Sequence, residues 1–367
     1  MTPDRPLGLG DSQTGWTPDR RRVYRQTISR SIALAPLAAA AIFAVAGVAL
    51  AAGGDGQVGV GLVLDHPLGS HAGDAGEYAT FDGLLRAKQR LHVQVKAVAP
   101  NPTSFIDLAP YDFLARRHYS LVISLPFLGG LSQSARSLPK VRFVALDGTR
   151  QELEPPVTAN VEGTLFHTEQ AAYLAGFVAA SMVDRKPPPH VVSTIGGNSE
   201  PQVQAYIAGF QAGAKRADPE IKLLNAYSGD FVNAATCEQI ALGQIAQGSR
   251  VVFAVAGDCG QGALEAAKRK GVFGVGVDTD ESGLGRFILT SVVINWKLGV
   301  YDLARRFVHG RLPMGGNLSF DMRDHFVGLG KFSPKVPPAL RRYVLTHLAT
   351  RIEQGKIVVP AALSSSR

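Results

Sequence analysis

From residue 58 onward, short apolar runs alternate with longer amphipathic stretches, and this rhythm admits few architectures. VGVGLVL (58–64) reads as a buried strand, and EYATFDGLLRAKQRL (77–91) sets Phe81, Leu84, Leu85 and Leu91 on one side of a helix. HVQVKAV (92–98) alternates with period two; a Pro-rich link, a helix near 106–117 and strands at 120–125 and 141–147 follow. Strand, helix, strand at this spacing makes parallel βαβ units with right-handed crossovers. The rhythm restarts after residue 160 with the helix EQAAYLAGFVAASMV, the strand HVVSTIGG (190–197) and a helix at 200–217 carrying Pro201 in its first turn. Segments 221–227, 237–248, 250–257, 259–271 and 272–278 continue the alternation. A strand at 286–293, a helix at 297–309 and a final helix near 337–354 complete it. The expected fold is α/β, with two doubly wound parallel-sheet lobes in tandem and a ligand cleft between them.

Two of these strands run into acids. VRFVALDGT ends in Asp147, and GVFGVGVDTDESG carries Asp278 and Asp280 just past its apolar run. In open parallel α/β sheets ligands sit beyond the carboxyl ends of the strands. Gly129–Gly130, Gly196–Gly197 and Gly257 fall at the same ends, where a missing Cβ lets backbone approach a ligand. Carboxylates there either accept hydrogen bonds from a ligand or cap the next helix or turn. The pattern leaves both readings open.

The N-terminus reads as a targeting segment. Residues 1–30 hold six Arg against three Asp, which accounts for three of the net charge of +8. No charge falls between Arg30 and Asp55, and the apolar run ends in Ala49–Leu50–Ala51. Residues 1–30 are thus a cytoplasmic basic region and 31–52 either a cleaved signal peptide or a retained anchor, with the remainder exported. The other basic residues form no stripe with interleaved aromatics, so nucleic acid is not an expected partner.

Among chemical motifs, the sequence has no GxxxxGK[ST] loop, no HExxH and no GxSxG. GQVGVG lacks the third glycine of a dinucleotide fingerprint, because residue 64 is Leu. His66 and His71 lie in a Gly-rich loop without a cysteine or acid at metal spacing, so neither a metal nor a cofactor is expected. Two lobes with acids at a shared cleft, and no nucleophile–base pair, suit binding better than catalysis. Cys237 opens the helix after the strand at 221–227 and Cys259 sits just past the next strand, at 250–257, which in a βαβ unit puts both at the carboxyl ends of neighbouring parallel strands. They are expected to form a disulfide in the exported compartment, the alternative being two small buried thiols.

Several stretches in order give the chain a specific resemblance: LVISLPFLGG, VRFVALDGT, NVEGTLFHTEQAAYLAGFVAASM, AYIAGFQAGAK, VVFAVAGDCGQGALEAAKRKGVFGVGVDTDES and ILTSVV. It resembles the basic membrane protein family of ABC-transporter substrate-binding proteins, relatives of the type I periplasmic binding proteins, over about residues 58–360. The resemblance implies a nucleoside or purine-like ligand, an ABC permease and its ATPase as partners, and hinge closure of the lobes. It also implies roles. Asp147 would meet the base edge, Asp278 the ribose hydroxyls, Phe231 the base face, and Gly257 would bring backbone to the ligand. Where many members have Asp-x-Ser-Phe-Asn, this chain has GDAGE (73–77), which puts Asp74, Gly76 and Glu77 in that slot. A Lys often found after LTSV is replaced by Ile294, and nearby Trp296 is either a replacement platform or ordinary packing. No Cys precedes 237, so a lipid anchor is not expected. By the family's topology the first lobe takes 58–160 plus 284–312 and the second 161–283 plus 313–360. An anchored ligand sensor with the same cleft, or a hydrolase acting on nucleosides, is the alternative reading.

Overall fold

The structure, a computed structural model, describes residues 58–68, 75–101, 107–125, 129–183 and 190–363. The expected segments of the targeting region, Asp74 and His71 lie outside these residues. The first part alternates as β1 (Gly59–Val63), α1 (Ala75–Leu91), β2 (Gln94–Val98), α2 (Ala109–Arg116), β3 (Tyr119–Ser124), α3 (Leu131–Ser137), β4 (Arg142–Ala145) and β5 (Val161–Phe166). The second runs α4 (Thr168–Ser181), β6 (Val191–Gly196), α5 (Pro201–Ala217), β7 (Lys222–Tyr227), α6 (Ala234–Ala246), β8 (Ser249–Val255), α7 (Gly257–Arg269), β9 (Phe273–Asp278) and β10 (Ile288–Ile294). The chain then adds α8 (Trp296–Val308), β11 (Asn317–Phe320), β12 (Val327–Leu329), α9 (Pro338–Tyr343), a π-helical turn at Val344–Leu348 and α10 (Ala349–Glu353).

Two six-stranded sheets result, in the orders β11-β5-β4-β3-β1-β2 and β12-β10-β9-β8-β6-β7. All pairs are parallel except β10 with β12. The central strands β1, β3 and β6 are apolar runs because helices cover both sheet faces, leaving no wet side to demand alternation.

The lobe boundaries differ from the expectation. β5, expected in the second lobe, pairs with β4 through Phe143↔Val161 to Ala145↔Gly163 and belongs to the first sheet. β10, expected in the first lobe, lies between β9 and β12 in the second sheet. β11 pairs with β5 and returns to the first sheet, while α8 packs on α1 as that lobe's helix. The chain therefore crosses between the lobes after β5, after β10 and between β11 and β12. The shift has a simple cause: backbone groups at a sheet edge must be paired, and the strand leaving each lobe finds its partners there before the chain crosses.

Helices α4 and α5 cover one face of the second sheet at backbone contact. A Cβ on Gly176 would lie 1.9 Å from the Phe210 carbonyl oxygen, and one on Gly213 equally close to that of Tyr173. The glycines of YLAGF and FQAGAK are therefore packing residues.

Cys237 and Cys259 are joined by a disulfide, with their Cα atoms 5.4 Å apart and both side chains fully buried. The geometric reason differs from the expected one. β7 and β8 are not neighbours, since β6 lies between them. The bond instead joins the first turns of α6 and α7, which pack side by side.

Candidate functional site

The carboxyl ends of both sheets open onto one cavity of about 930 Å³, lined from both lobes. Asp147, Asp278, Phe231, Gly257, Trp296 and Glu77 all line it. Asp74 is outside the described residues.

Asp147 lies two residues beyond β4, and Asp278 is the last residue of β9. Their φ angles are +61° and +62°. Left-handed backbone is uncommon for non-glycine residues, and Asp and Asn are among the few that accept it at modest cost. The two lobes thus place the same residue type in the same unusual conformation at the same sheet end. The Asp147 turn is fixed from below. Its N–H donates to Thr164 Oγ1 at 2.8 Å, and that hydroxyl donates to the Ala145 carbonyl at 3.0 Å. Asp278 is held by Tyr206 of α5, whose phenol donates to Oδ1 at 2.5 Å.

Burial pushes the Asp147 carboxyl up to about 8, and the negative charges of Asp278 and Glu152 add to this. Asp278 is raised as well, first by burial, with the Tyr206 hydrogen bond opposing. Tyr206 is raised well above its ordinary value by burial and by the two aspartates. Asp280, by contrast, caps a turn: its carboxylate accepts from the Ser282 N–H at 3.2 Å. The two readings of the strand-end acids are therefore divided among them, with Asp280 a cap and Asp147 and Asp278 facing the cavity.

The Phe231 ring lies against Gly197, where a Cβ would come within 2.3 Å of Cε1. Its carbonyl accepts from the Cys259 N–H at 3.0 Å, and Gly257, at φ +54°, would put a Cβ 2.9 Å from that same oxygen. The disulfide, the α7 N-terminus and two glycines thus hold Phe231 at the cavity wall. Trp296 packs in the first lobe and also lines the cavity. It is 8% exposed and packs on Phe166 at 5.3 Å between ring centroids, yet it lines the cavity and its indole N–H has no hydrogen-bond partner among the described residues. An unsatisfied buried donor costs about 1–3 kcal/mol, which a ligand acceptor would recover. Gly76 lies over this nitrogen, 3.5 Å from where its Cβ would be.

Glu77 accepts from the His66 N–H at 2.8 Å. Asp65, His66 and Glu77 bring one possible metal-ligand atom each within 4.8 Å of one another, a grouping of His66 with acids that its sequence neighbourhood did not suggest. Sequence reasoning also missed Gln202, whose amide reaches across the cleft from α5 to Glu152 Oε2 at 2.8 Å and to the Asp147 carbonyl at 3.3 Å. Tyr206 was missed too. The available signal was a phenol two turns from the start of a helix whose neighbouring residues are apolar.

Known proteins resemble this chain in sequence and fold. Residues 71–357 match the family described as Bmp, ABC transporter substrate-binding protein PnrA-like. The ABC transporter nucleoside-binding protein BmpA of Lactococcus lactis is 28% identical over 68% of this chain and 74% of its own length. Basic membrane protein B of Borrelia garinii is 31% identical over 52% of this chain and 56% of its own. Among solved structures, a transcriptional activator of the comK gene from Bacillus halodurans superposes with a TM-score of 0.68 at 25% identity, covering 83% of this chain and 100% of that one. An ABC solute-binding protein from Aeropyrum pernix does so with a TM-score of 0.65 at 20% identity, over 83% and 94%.

Proposed function

Because the chain belongs to the Bmp family of PnrA-like ABC transporter substrate-binding proteins, we propose that it captures a nucleoside or purine-like molecule outside the cytoplasm and delivers it to an ABC permease. The family is one of substrate-binding proteins rather than enzymes, and its members in ABC importers work extracytoplasmically. Among the described residues no helix is long and apolar enough to cross a membrane.

One observation carries the reading: two aspartates in matched left-handed turns, one from each lobe, face a single cavity of about 930 Å³. That volume lies in the range of small-molecule sites. Asp147 and Asp278 supply acceptors for ligand hydroxyl and amino groups, Phe231 an apolar face and Trp296 a donor. A purine ring has a flat face, ring-nitrogen acceptors and exocyclic donors, and a ribose adds hydroxyls; together they match this set. The nucleoside-binding name of the Lactococcus relative supports the same class. Three chain crossings form the natural hinge, and the Gln202 bonds to Glu152 and Asp147 join the lobes across the cleft.

Calorimetry of the full chain with adenosine, guanosine, inosine and hypoxanthine tests this. Binding of at least one, weakened about tenfold or more by both Asp147→Asn and Asp278→Asn, is expected. Failure of all four to bind, or unchanged affinity in both variants, contradicts it.

A further inference from the structure

The chain carries a net charge of +8, but its cleft has the opposite character. Among the described residues the cavity wall holds eight Asp and Glu side chains, drawn from both lobes, and no Lys or Arg. Three of these acids are held by neutral donors, while Asp65 and Glu77 lie beside the His66 imidazole. Glu152 takes the Thr149 N–H and the Gln202 amide, and Glu281 takes the Gln261 amide and the Val277 N–H. Asp278 takes the Tyr206 phenol. Such donors orient carboxylates without cancelling their charge, and a cation brought into the cleft favours release of the proton that burial keeps on Asp147. A low-dielectric cleft lined by one sign of charge focuses the field and concentrates ions of the other sign. Beside these acids lie the Phe231 ring and the unpartnered indole N–H of Trp296, which ask for a flat ligand bearing at least one acceptor.

Resting on the reading of this cleft as the ligand site, we propose that its physiological ligand is a cationic, planar heteroaromatic molecule, such as a base or nucleoside that is positively charged at neutral pH. Its charged ring or amine sits among Asp147, Asp278 and Glu77, its flat face lies on Phe231, and an acceptor atom meets the Trp296 N–H. The same wall rejects anions, so a phosphorylated nucleoside is excluded although its base and sugar fit.

Matched ligand pairs test the charge separately from the shape. Calorimetry of the full chain at pH 7 and low ionic strength compares adenosine with 1-methyladenosine, and guanosine with 7-methylguanosine. The methylated member of each pair carries ring charge. Adenosine 5′-monophosphate serves as the anion, and thiamine and choline as cations that are not nucleosides. The charged member is expected to bind about tenfold or more tightly in at least one pair, with an advantage that shrinks as salt is added. The monophosphate is expected to give no binding heat, and Glu77→Gln to narrow the cation's advantage. If neutral nucleosides bind as well as the cations, or the monophosphate binds comparably, the charge inference is overturned while the nucleoside reading survives. If thiamine binds and no nucleoside does, the nucleoside reading falls and the charge inference stands; if choline binds and no planar cation does, the inference is overturned. If no organic cation binds, or Zn²⁺ binds at Asp65, His66 and Glu77 while every organic cation is ignored, the inference is overturned.

Discussion

Replacing Asp147 with Asn should stabilise the folded chain above neutral pH while weakening the cleft. Asn tolerates the left-handed backbone at φ +61°, so the substitution removes charge without adding conformational strain. The carboxyl holds its proton more tightly in the folded chain than in the unfolded one, where its ordinary value is 3.8. Between that value and about 8 the folded chain binds more protons, so the wild-type contribution to stability falls as pH rises through this window. At about 1.4 kcal/mol per pH unit, a rise from 3.8 to about 8 sets a ceiling of about 6 kcal/mol. The cavity admits water, which screens the charge, and we expect about 2 kcal/mol to be realised. Urea unfolding of wild type and Asp147→Asn at pH 5 and pH 8 measures it. The variant should be nearly equal at pH 5 and about 2 kcal/mol more stable at pH 8, with nucleoside affinity down about tenfold. Parallel stability-against-pH curves for the two proteins would refute the reasoning, because the buried charge would then carry no cost.

Reducing the Cys237–Cys259 bond, which closes a loop of sequence separation 22, should lower unfolding stability by about 3 kcal/mol; identical urea midpoints with and without reductant would count against it. Tyr206→Phe removes the phenol that orients Asp278 and should weaken ligand binding about five- to tenfold with little effect on secondary structure, as read by calorimetry and circular dichroism. Gly197→Ala would drive a Cβ into the Phe231 ring; binding should fall while the protein stays folded, and an unchanged affinity would show that the ring is not a wall of the site. Gln202→Ala deletes the hydrogen bonds that join the lobes and should enlarge the ligand-free radius of gyration in small-angle scattering, an effect absent if those contacts are incidental.

The parallel two-lobed fold was legible because buried strands and amphipathic helices alternate with little ambiguity from VGVGLVL to VFGVGVD. The exceptions are instructive. VEGTLF does not look like a strand because Glu162 and Gly163 interrupt it, yet Glu162 is buried with its carboxylate on the Gly316 N–H at 2.8 Å. LSQSARS looks like a loop because five of its seven residues are polar, although Ser132 and Ser134 are buried in α3. Lobe membership was not legible either, since β10 could pair with either sheet by composition and only the tertiary register decides. In the site, position gave Asp147 and Asp278, because strand ends are where such folds bind. Gln202 and Glu152 were out of reach, since they meet through contacts between residues 50 or more positions apart, and the role of Tyr206 depends on Asp278, 72 positions away. The left-handed turns at the two aspartates, which mark the site most clearly, have no one-dimensional signature in residues other than glycine.

The most direct test of the account is native mass spectrometry of the chain as it emerges from the cells that make it, beside an Asp147→Asn/Asp278→Asn double variant. The account predicts a wild-type adduct with the mass of a nucleoside or purine-like molecule, absent from the folded double variant. The same adduct on both proteins, or a wild-type chain that arrives empty and takes up no nucleoside or base when offered, would contradict it.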